Sequence, residues 1–310
     1  MTRLSTRPVR ATAAATILAT AWLACSLLLA LPSHAATDKL LLTSGVSSID
    51  GAAGGGLTPW AVIGSYATLG QWGATAFVTR VSTADYRLSE AGVALGWDER
   101  LELSLARQDL DTGATGSALG LPGLHLKQDI LGLKVRLAGD AVLDTDRWMP
   151  AVAVGVQWRR LDAGGLAATL VSLGAKTHGL DAYISATKLL LAQSILLNGT
   201  LRASQANQTG LLGFGGAAHS GYRLLPEVSV AWLAHRTLAV GAEWRAKPDN
   251  LNPSALGAGL KEDAWSDLFV AWAPYKHLSV TAAWVNLGAI VPAVKPRRQT
   301  GTYLSIQTAY

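Results

Sequence analysis

The segment Asp129-Ile-Leu-Gly-Leu-Lys-Val-Arg-Leu-Ala138 decides the fold, because its residues alternate between two chemical classes. One face carries Leu131, Leu133, Val135 and Leu137, and the other carries Gly132, Lys134, Arg136 and Ala138. A period of two residues predicts a β-strand. Because charges facing lipid are costly, we expect the leucine face to meet a bilayer and the charged face to line an interior. The segment therefore predicts one strand of a transmembrane β-barrel.

The same alternation recurs along the chain, for example at residues 152–159 and 238–245. Cutting the sequence at its turn residues predicts strands at 39–48, 59–68, 72–83, 86–97, 100–110, 126–138, 147–160, 179–189, 194–205, 222–234, 238–246, 264–273, 277–286 and 301–310. We therefore predict an all-β, antiparallel, up-and-down barrel of about fourteen strands.

The lengths of the connections support this order of strands. Short links follow the even-numbered strands and long links follow most odd-numbered ones, as expected for periplasmic turns and outer loops. The first strand, 39–48, is the weakest, because Leu40, Leu41 and Leu42 do not alternate. If it folds into the lumen with Gly51 to Gly56, the alternative is a barrel of twelve strands with an N-terminal plug segment.

Tryptophans fall near the predicted strand ends. Those at the periplasmic ends are Trp97, Trp148, Trp232 and Trp272, and those at the outer ends are Trp60, Trp158, Trp244, Trp265 and Trp284. Two aromatic girdles are typical of a barrel in a bilayer. The competing interpretation, a soluble β-sandwich with core tryptophans, predicts no such sorting.

The first 35 residues are typical of a secretory signal peptide. Arg3, Arg7 and Arg10 precede an apolar stretch, and small residues end at Ala35. An uncleaved membrane anchor is the alternative. We expect cleavage after Ala35, a mature barrel over residues 36–310, and a location in the outer membrane. Cleavage leaves 26 − 3 = 23 basic residues against 21 acidic ones, so basicity gives no reason to expect nucleic-acid binding.

The C-terminal strand ends on an aromatic residue. Leu304, Ile306, Thr308 and Tyr310 share one face, which resembles the terminal strand by which outer-membrane proteins are recognised for assembly. We expect outer-membrane lipid and the barrel assembly machinery as partners, the latter through this strand.

The start of the expected mature chain carries a more specific likeness. Residues Asp38 to Thr43 lead into the glycine-rich run Gly45 to Trp60. This block resembles the opening of a proteobacterial outer-membrane β-barrel family of unknown function, domain-of-unknown-function family 3034. The resemblance implies an outer-membrane protein in a Gram-negative cell and brings no substrate or activity with it.

Charged residues on the interior faces are the candidate site. The predicted lumen-lining residues are Lys134, Arg136, Arg159, Arg202, Arg223, Arg245, Glu90, Glu102, Glu227 and Glu243, with Asp181 and Asp267 also pointing inward. Mixed charges either line a channel or pair across a closed interior. The glycine run adds Asp50, Gly54, Gly55 and Gly56 as candidates for a loop constriction, folded over the mouth or tucked inside.

These observations favour a passive or substrate-selective diffusion channel for a small solute that the sequence does not identify. A closed barrel with a structural or surface-interaction role is the alternative, and a lipid-modifying enzyme is the second alternative. Within residues 36–310, His219 and Ser220 are the only adjacent His/Ser pair, without an acidic partner placed by sequence. We therefore expect no catalytic residues, no metal and no cofactor.

Overall fold

The computed structural model describes residues 41–42, 44–140, 148–255 and 257–310. Twelve antiparallel strands, β3 to β14, close into one barrel. Their bounds are β3 Trp72–Thr83, β4 Arg87–Trp97, β5 Leu101–Asp111, β6 His125–Ala138, β7 Ala151–Asp162, β8 His178–Leu190, β9 Ile195–Ser204, β10 Arg223–His235, β11 Leu238–Arg245, β12 Trp265–Tyr275, β13 Leu278–Asn286 and β14 Thr300–Ala309. Each strand pairs with its neighbours in the chain.

The remaining elements are short. Strands β1 (Val46–Ser47) and β2 (Ala53–Gly54) form a small hairpin before the barrel, and helices α1 (Gly113–Ala118) and α2 (Ala167–Ser172) lie in loops at the outer end. Among the described residues, no helix is long and apolar enough to cross a membrane.

The barrel closes where its last strand meets its first. β14 pairs antiparallel with β3 in a register that runs from Gly301 opposite Thr83 to Ala309 opposite Thr75. Beyond the strand end, the backbone amides and carbonyls of Tyr310 and Ala74 exchange hydrogen bonds of 2.8 and 2.9 Å. An edge that would otherwise expose unpaired backbone groups to lipid is therefore satisfied.

The count of fourteen strands is wrong, and the twelve-stranded alternative with an N-terminal plug segment is confirmed. In the described part of 39–48, only Val46 and Ser47 are in a strand, and they pair with Gly54 and Ala53 instead of with the wall. The segment 59–68 contains no barrel strand. Residues 44–48 and 59–66 lie inside the barrel, where wall side chains accept or donate hydrogen bonds to several of their backbone groups.

The outer face of the barrel is apolar over the thickness of a bilayer. On β10 the outward residues run from Leu224 through Val228 and Val230 to Trp232, and all four side chains are exposed. Ten residue steps from Leu224 to Ala234 correspond to about 33 Å along a strand. At a strand tilt of about 40° this is roughly 25 Å along the barrel axis, the height of a lipid-facing band. The fold is that of a transmembrane β-barrel.

Seven of the nine tryptophans predicted to form the girdles are exposed. Six stand on barrel strands, namely Trp97, Trp232, Trp272, Trp158, Trp244 and Trp284, and Trp148 lies in the connection before β7. Trp72 joins them, with its ring 6.0 Å from that of Trp97. The predicted girdle position is wrong for Trp60 and Trp265, because both side chains are buried. Trp60 belongs to the segment inside the lumen, and Trp265 points inward beneath the ammonium group of Lys247.

Candidate functional site

Residues 44–66, called the plug below, occupy the interior of the barrel. They enter from the periplasmic end, where both chain termini of the barrel lie, and connect to β3. Plug residues Ser48, Asp50, Leu57 and Ala61 are completely buried. The side chains that form hydrogen bonds with the plug stand on seven strands around the wall: β5, β6, β7, β8, β9, β11 and β14. Contacts on every side place the plug within the lumen.

The inner wall leaves room for the plug because its inward side chains are small near the periplasmic end. Inward positions there are alanines on several strands: Ala151, Ala153, Ala231, Ala239, Ala271 and Ala273. Toward the outer end, charged and amide side chains replace them. This gradient positions the ionic contacts around the middle of the plug.

Glu102 on β5 and Lys134 on β6 hold two limbs of the plug together. The Glu102 carboxylate accepts hydrogen bonds from the backbone amides of Ala53 (2.9 Å) and Gly64 (2.8 Å). The Lys134 ammonium donates to the carbonyls of Ala53 (2.8 Å) and Val62 (2.9 Å). The two side chains are 3.1 Å apart and almost fully buried. This pair acts as a clamp on the backbone of the plug.

Glu243 on β11 binds the tip of the plug. It accepts hydrogen bonds from the backbone amide of Leu57 (2.7 Å) and from the hydroxyl of Thr58 (2.6 Å). A Cβ atom placed on Gly55 would lie 2.0 Å from the Glu243 carboxylate. A side chain at position 55 would therefore displace the Glu243 carboxylate from its contacts with the plug.

Neutral side chains complete the contacts on the other side of the lumen. The Thr187 hydroxyl accepts from the backbone amide of Ala61 at 2.7 Å. The carbonyl of Pro59 accepts from Ser185, Asn198 and Thr200. With Gln307 on β14 accepting from Ser47, polar groups of the wall replace water around the plug backbone.

The plug places one carboxylate among three guanidinium groups. Asp50 lies 3.0 Å from Arg159 Nη2, 3.3 Å from Arg202 Nη2 and 2.7 Å from Arg245 Nη1. These arginines stand on β7, β9 and β11 and are at most 3% exposed. Burial alone raises the pKa of Asp50, but the three guanidinium groups hold that pKa well below its usual range. Asp50 is therefore ionised inside the barrel.

A lid of outer-loop residues 207–212 covers the arginines from the other side. The carbonyl of Thr209 accepts from Arg159 (2.6 Å) and from Gln128 (3.2 Å). The backbone amide of Gln208 donates to Glu262, and Lys247 donates to the Gln208 side chain. Burial lowers the pKa of Lys247 to about 7 and raises the pKa of Glu262. Both ends of the lumen are therefore filled by the chain itself.

The structure places most of the predicted lumen residues in the interior. Glu90, Glu102, Lys134, Arg159, Arg202, Glu227, Glu243 and Arg245 are all buried there, as are Asp181 and Asp267. Arg136 lies at the periplasmic end, where it pairs with Glu99 and Asp140. Arg223 differs from the prediction, because it is exposed at the outer end of β10, beyond the filled part of the lumen.

The predicted constriction residues Asp50, Gly54, Gly55 and Gly56 are buried inside the barrel. The glycine run therefore lies inside the barrel and not over its mouth. Sequence reasoning missed the groups that bind the plug through neutral contacts, such as Thr187, Thr200 and Gln307. Their inward position follows from alternation, but the sequence carries no signal for what they contact.

The sequence of this chain matches a known family at residues 43–307, and that family is described as "Protein of unknown function (DUF3034)". No curated protein matches the sequence. Among solved structures, a KdgM porin in complex with disordered oligogalacturonate has 6% identity over 76% of this chain and 99% of that chain, with a TM-score of 0.47.

A NanC porin has 7% identity over 76% of this chain and 98% of that chain, with a TM-score of 0.48. Outer membrane phospholipase A from Escherichia coli has 8% identity over 76% of this chain and 89% of that chain, with a TM-score of 0.41. These likenesses concern the outline of the barrel and assign neither a solute nor a reaction to this chain.

Proposed function

This chain belongs to the DUF3034 family of proteins of unknown function, and we propose that it is an outer-membrane channel for a small solute, closed by its own N-terminal plug. One observation carries the proposal. Polar groups of the wall bind the backbone and side chains of the plug, as Glu102 does with Ala53 and Gly64 and as Glu243 does with Leu57 and Thr58. The plug thus takes the place of a solute in a polar lumen.

Withdrawal of the plug would leave a wall that requires water. Buried polar groups are stable only when they are hydrogen-bonded, so the vacated carboxylates, hydroxyls and amides would be hydrated. A twelve-stranded barrel lies between eight-stranded barrels, whose interiors are filled by side chains, and porins of sixteen or more strands. Its lumen is therefore suited to a narrow, selective passage.

The apolar outer face and the exposed tryptophans support a location in the outer membrane, reached after cleavage of residues 1–35. Assembly through the C-terminal strand belongs to the same proposal. Tyr310 continues the β14–β3 seam and stacks on His277, with ring centroids 4.6 Å apart. An aromatic residue that is part of the closing seam is suited to recognition during assembly.

A closed barrel with a structural or surface-interaction role is the competing function. The packing of the outer loops around the lid favours it. Leucines from three outer loops are buried together with Ile290 near the outer end: Leu211, Leu212, Leu251, Leu260 and Leu287. Packing of this kind costs free energy to open. The two functions therefore differ in whether the plug and the lid ever move.

Recordings in planar lipid bilayers distinguish the two functions. We expect the full-length protein to be closed most of the time, with rare openings. Asp50→Asn removes the charge by which three wall arginines bind the plug, so openings become much more frequent. Asp129→Asn is the matched control, because its carboxylate pairs with Arg107 on the outer surface at 3.7 Å and is half exposed. Silence of all three proteins across salts and voltages would favour the closed barrel.

We propose no catalytic activity. His219, the histidine adjacent to a serine, has a ring Nε2 atom without a hydrogen-bond partner in the described part of the chain. A serine nucleophile requires a base within hydrogen-bond reach and an oriented partner. Release of acyl chains from phospholipid vesicles by the wild type, lost in His219→Ala, would contradict this proposal.

A further inference from the structure

The three arginines around Asp50 are held in place by the wall itself. Each uses its Nε atom for a wall carboxylate: Arg159 with Asp181 (3.2 Å), Arg202 with Glu227 (2.5 Å) and Arg245 with Glu227 (3.2 Å). Gln157 also accepts from Arg159 and Arg202, both at 2.7 Å. None of these contacts involves the plug. The guanidinium groups therefore remain oriented when Asp50 leaves.

The terminal nitrogens of the same guanidinium groups converge on Asp50 from three strands. Arginine presents a planar set of donors that matches the two oxygens of a carboxylate. In this structure one Asp50 oxygen is bound by Arg159, and the other is bound by Arg202 and Arg245. The arrangement is a carboxylate-binding site that a residue of the plug occupies.

The three arginines carry one more charge than the wall carboxylates that pair with them. Arg159, Arg202 and Arg245 contribute three positive charges, while Asp181 and Glu227 contribute two negative ones. The cluster without the plug thus has a net charge of 3 − 2 = +1, which Asp50 neutralises. In the hydrated lumen that the plug leaves, this positive charge favours binding of an anion at the arginines.

We propose that Arg159, Arg202 and Arg245 form a binding site for the carboxylate group of a small organic anion that the barrel admits, with Asp50 of the plug as its internal substitute. This proposal rests on the proposed channel function, whose solute class it specifies. The solute reaches the arginines from the outer side when the Thr209 carbonyl leaves Arg159. Binding of the solute carboxylate and docking of the plug are then mutually exclusive.

Formate is the smallest carboxylate with which to test the site, and Asp50→Ala is the variant that vacates it. The full-length variant is purified in detergent, and its unfolding is followed by the change in gel mobility on heating. We expect a lower unfolding midpoint than in the wild type. Sodium formate at saturation raises it again by about 2–4 °C, because a ligand that binds only the folded state stabilises it. The wild type, whose site is filled, does not respond.

Two controls establish the chemistry of the site. Sodium chloride at the same concentration is expected to leave the Asp50→Ala midpoint unchanged, and an equal rise with chloride would overturn the assignment to carboxylates. The double variant Asp50→Ala/Arg245→Gln has a neutral cluster, so its response to formate is lost. If Asp50→Ala yields no folded protein, refolding with formate decides: recovery with formate and not chloride supports the proposal, and no recovery overturns it.

The outcome for the site is distinguishable from the outcome for the channel. A formate response in a protein that stays silent in the bilayer supports the carboxylate site and overturns the channel function. Conductance by Asp50→Ala without any formate response overturns the site and leaves the channel function in place. Conductance together with the response supports both.

Discussion

The clamp formed by Glu102 and Lys134 gives the sharpest energetic prediction. Glu102→Gln keeps the shape of the side chain but removes its charge, and its amide nitrogen then faces a plug N–H that needs an acceptor. The substitution also leaves Lys134, which is 1% exposed, without its carboxylate partner at 3.1 Å. Breaking a buried ion pair on one side typically costs about 3–5 kcal/mol. We expect this cost to fall on docking of the plug.

A change of about 1.4 kcal/mol corresponds to a tenfold change in an equilibrium constant. Undocking of the plug in Glu102→Gln is therefore expected to increase by roughly 10²- to 4 × 10³-fold. Hydrogen–deuterium exchange measures this directly, because the Ala53 and Gly64 amides are bonded to Glu102. Exchange should accelerate in peptides from residues 44–66 and stay unchanged in peptides from β8 and β9.

A double-mutant cycle with Lys134→Met separates the pair from its surroundings. Glu102→Gln/Lys134→Met contains no unpaired charge, so it should cost about 1–3 kcal/mol less than the sum of the two single variants. The exposed pair of Arg107 and Asp129 is the control, expected at about 0–1 kcal/mol. Additive effects at Glu102 and Lys134, or faster exchange spread evenly over barrel and plug, would refute the clamp.

Other regions of the barrel give independent predictions. Leu133→Arg on the lipid face should lower the free energy of unfolding in vesicles by about 2–4 kcal/mol, whereas Leu133→Met should cost little; equal tolerance of both would mean that the faces are misassigned. Hydrogen bonds from Arg297 lower the pKa of Asp85 from 3.8 to about 2. The stabilisation that these hydrogen bonds contribute is thus present above pH 4 and lost as the pH falls toward 2. In the wild type, amide exchange at residues 295–299 should therefore accelerate over that range. In Asp85→Asn it should be fast already at pH 7. Deleting Tyr310 removes the last backbone pair of the β14–β3 seam, so the heat-modifiable form in outer-membrane fractions should decrease while Tyr310→Phe stays at the wild-type level.

The wall of the barrel was predictable because its pattern is local. Alternation alone predicts 72–83, and the structure has β3 at Trp72–Thr83. Inward positions of Lys134 and Arg159 follow from the same alternation, since neighbours in a strand point to opposite faces. Each of these predictions depends on a few adjacent residues.

The number of strands was not predictable in this way. Loop parity cannot distinguish fourteen strands from twelve, because removing a pair of strands leaves every remaining turn on the same side. Ala61, Val62 and Ile63 lie in the segment 59–68 and are apolar enough to suggest a strand, yet they pack against the wall from within. Trp60 at its start is buried for the same reason.

The partners of the interior charges also lay beyond the sequence. Alternation places Arg159, Arg202 and Arg245 on inner faces, but their convergence depends on the register of three different strands. Asp50 is 195 residues from Arg245, and no spacing rule connects them. Only the glycine run around it indicated a backbone that must approach something closely.

A reversible lock on the plug tests the central claim most directly. A Cβ atom on Gly51 would lie 2.8 Å from the Ala106 Cβ on β5, about 1 Å closer than a disulfide needs. The Gly51→Cys/Ala106→Cys variant is recorded in a planar bilayer while it is oxidised and then reduced. Strain at the positive φ of position 51 favours opening of the reduced form. We expect silence when the disulfide is formed and openings after reduction. Conductance that is the same in both states would contradict closure of the lumen by the plug.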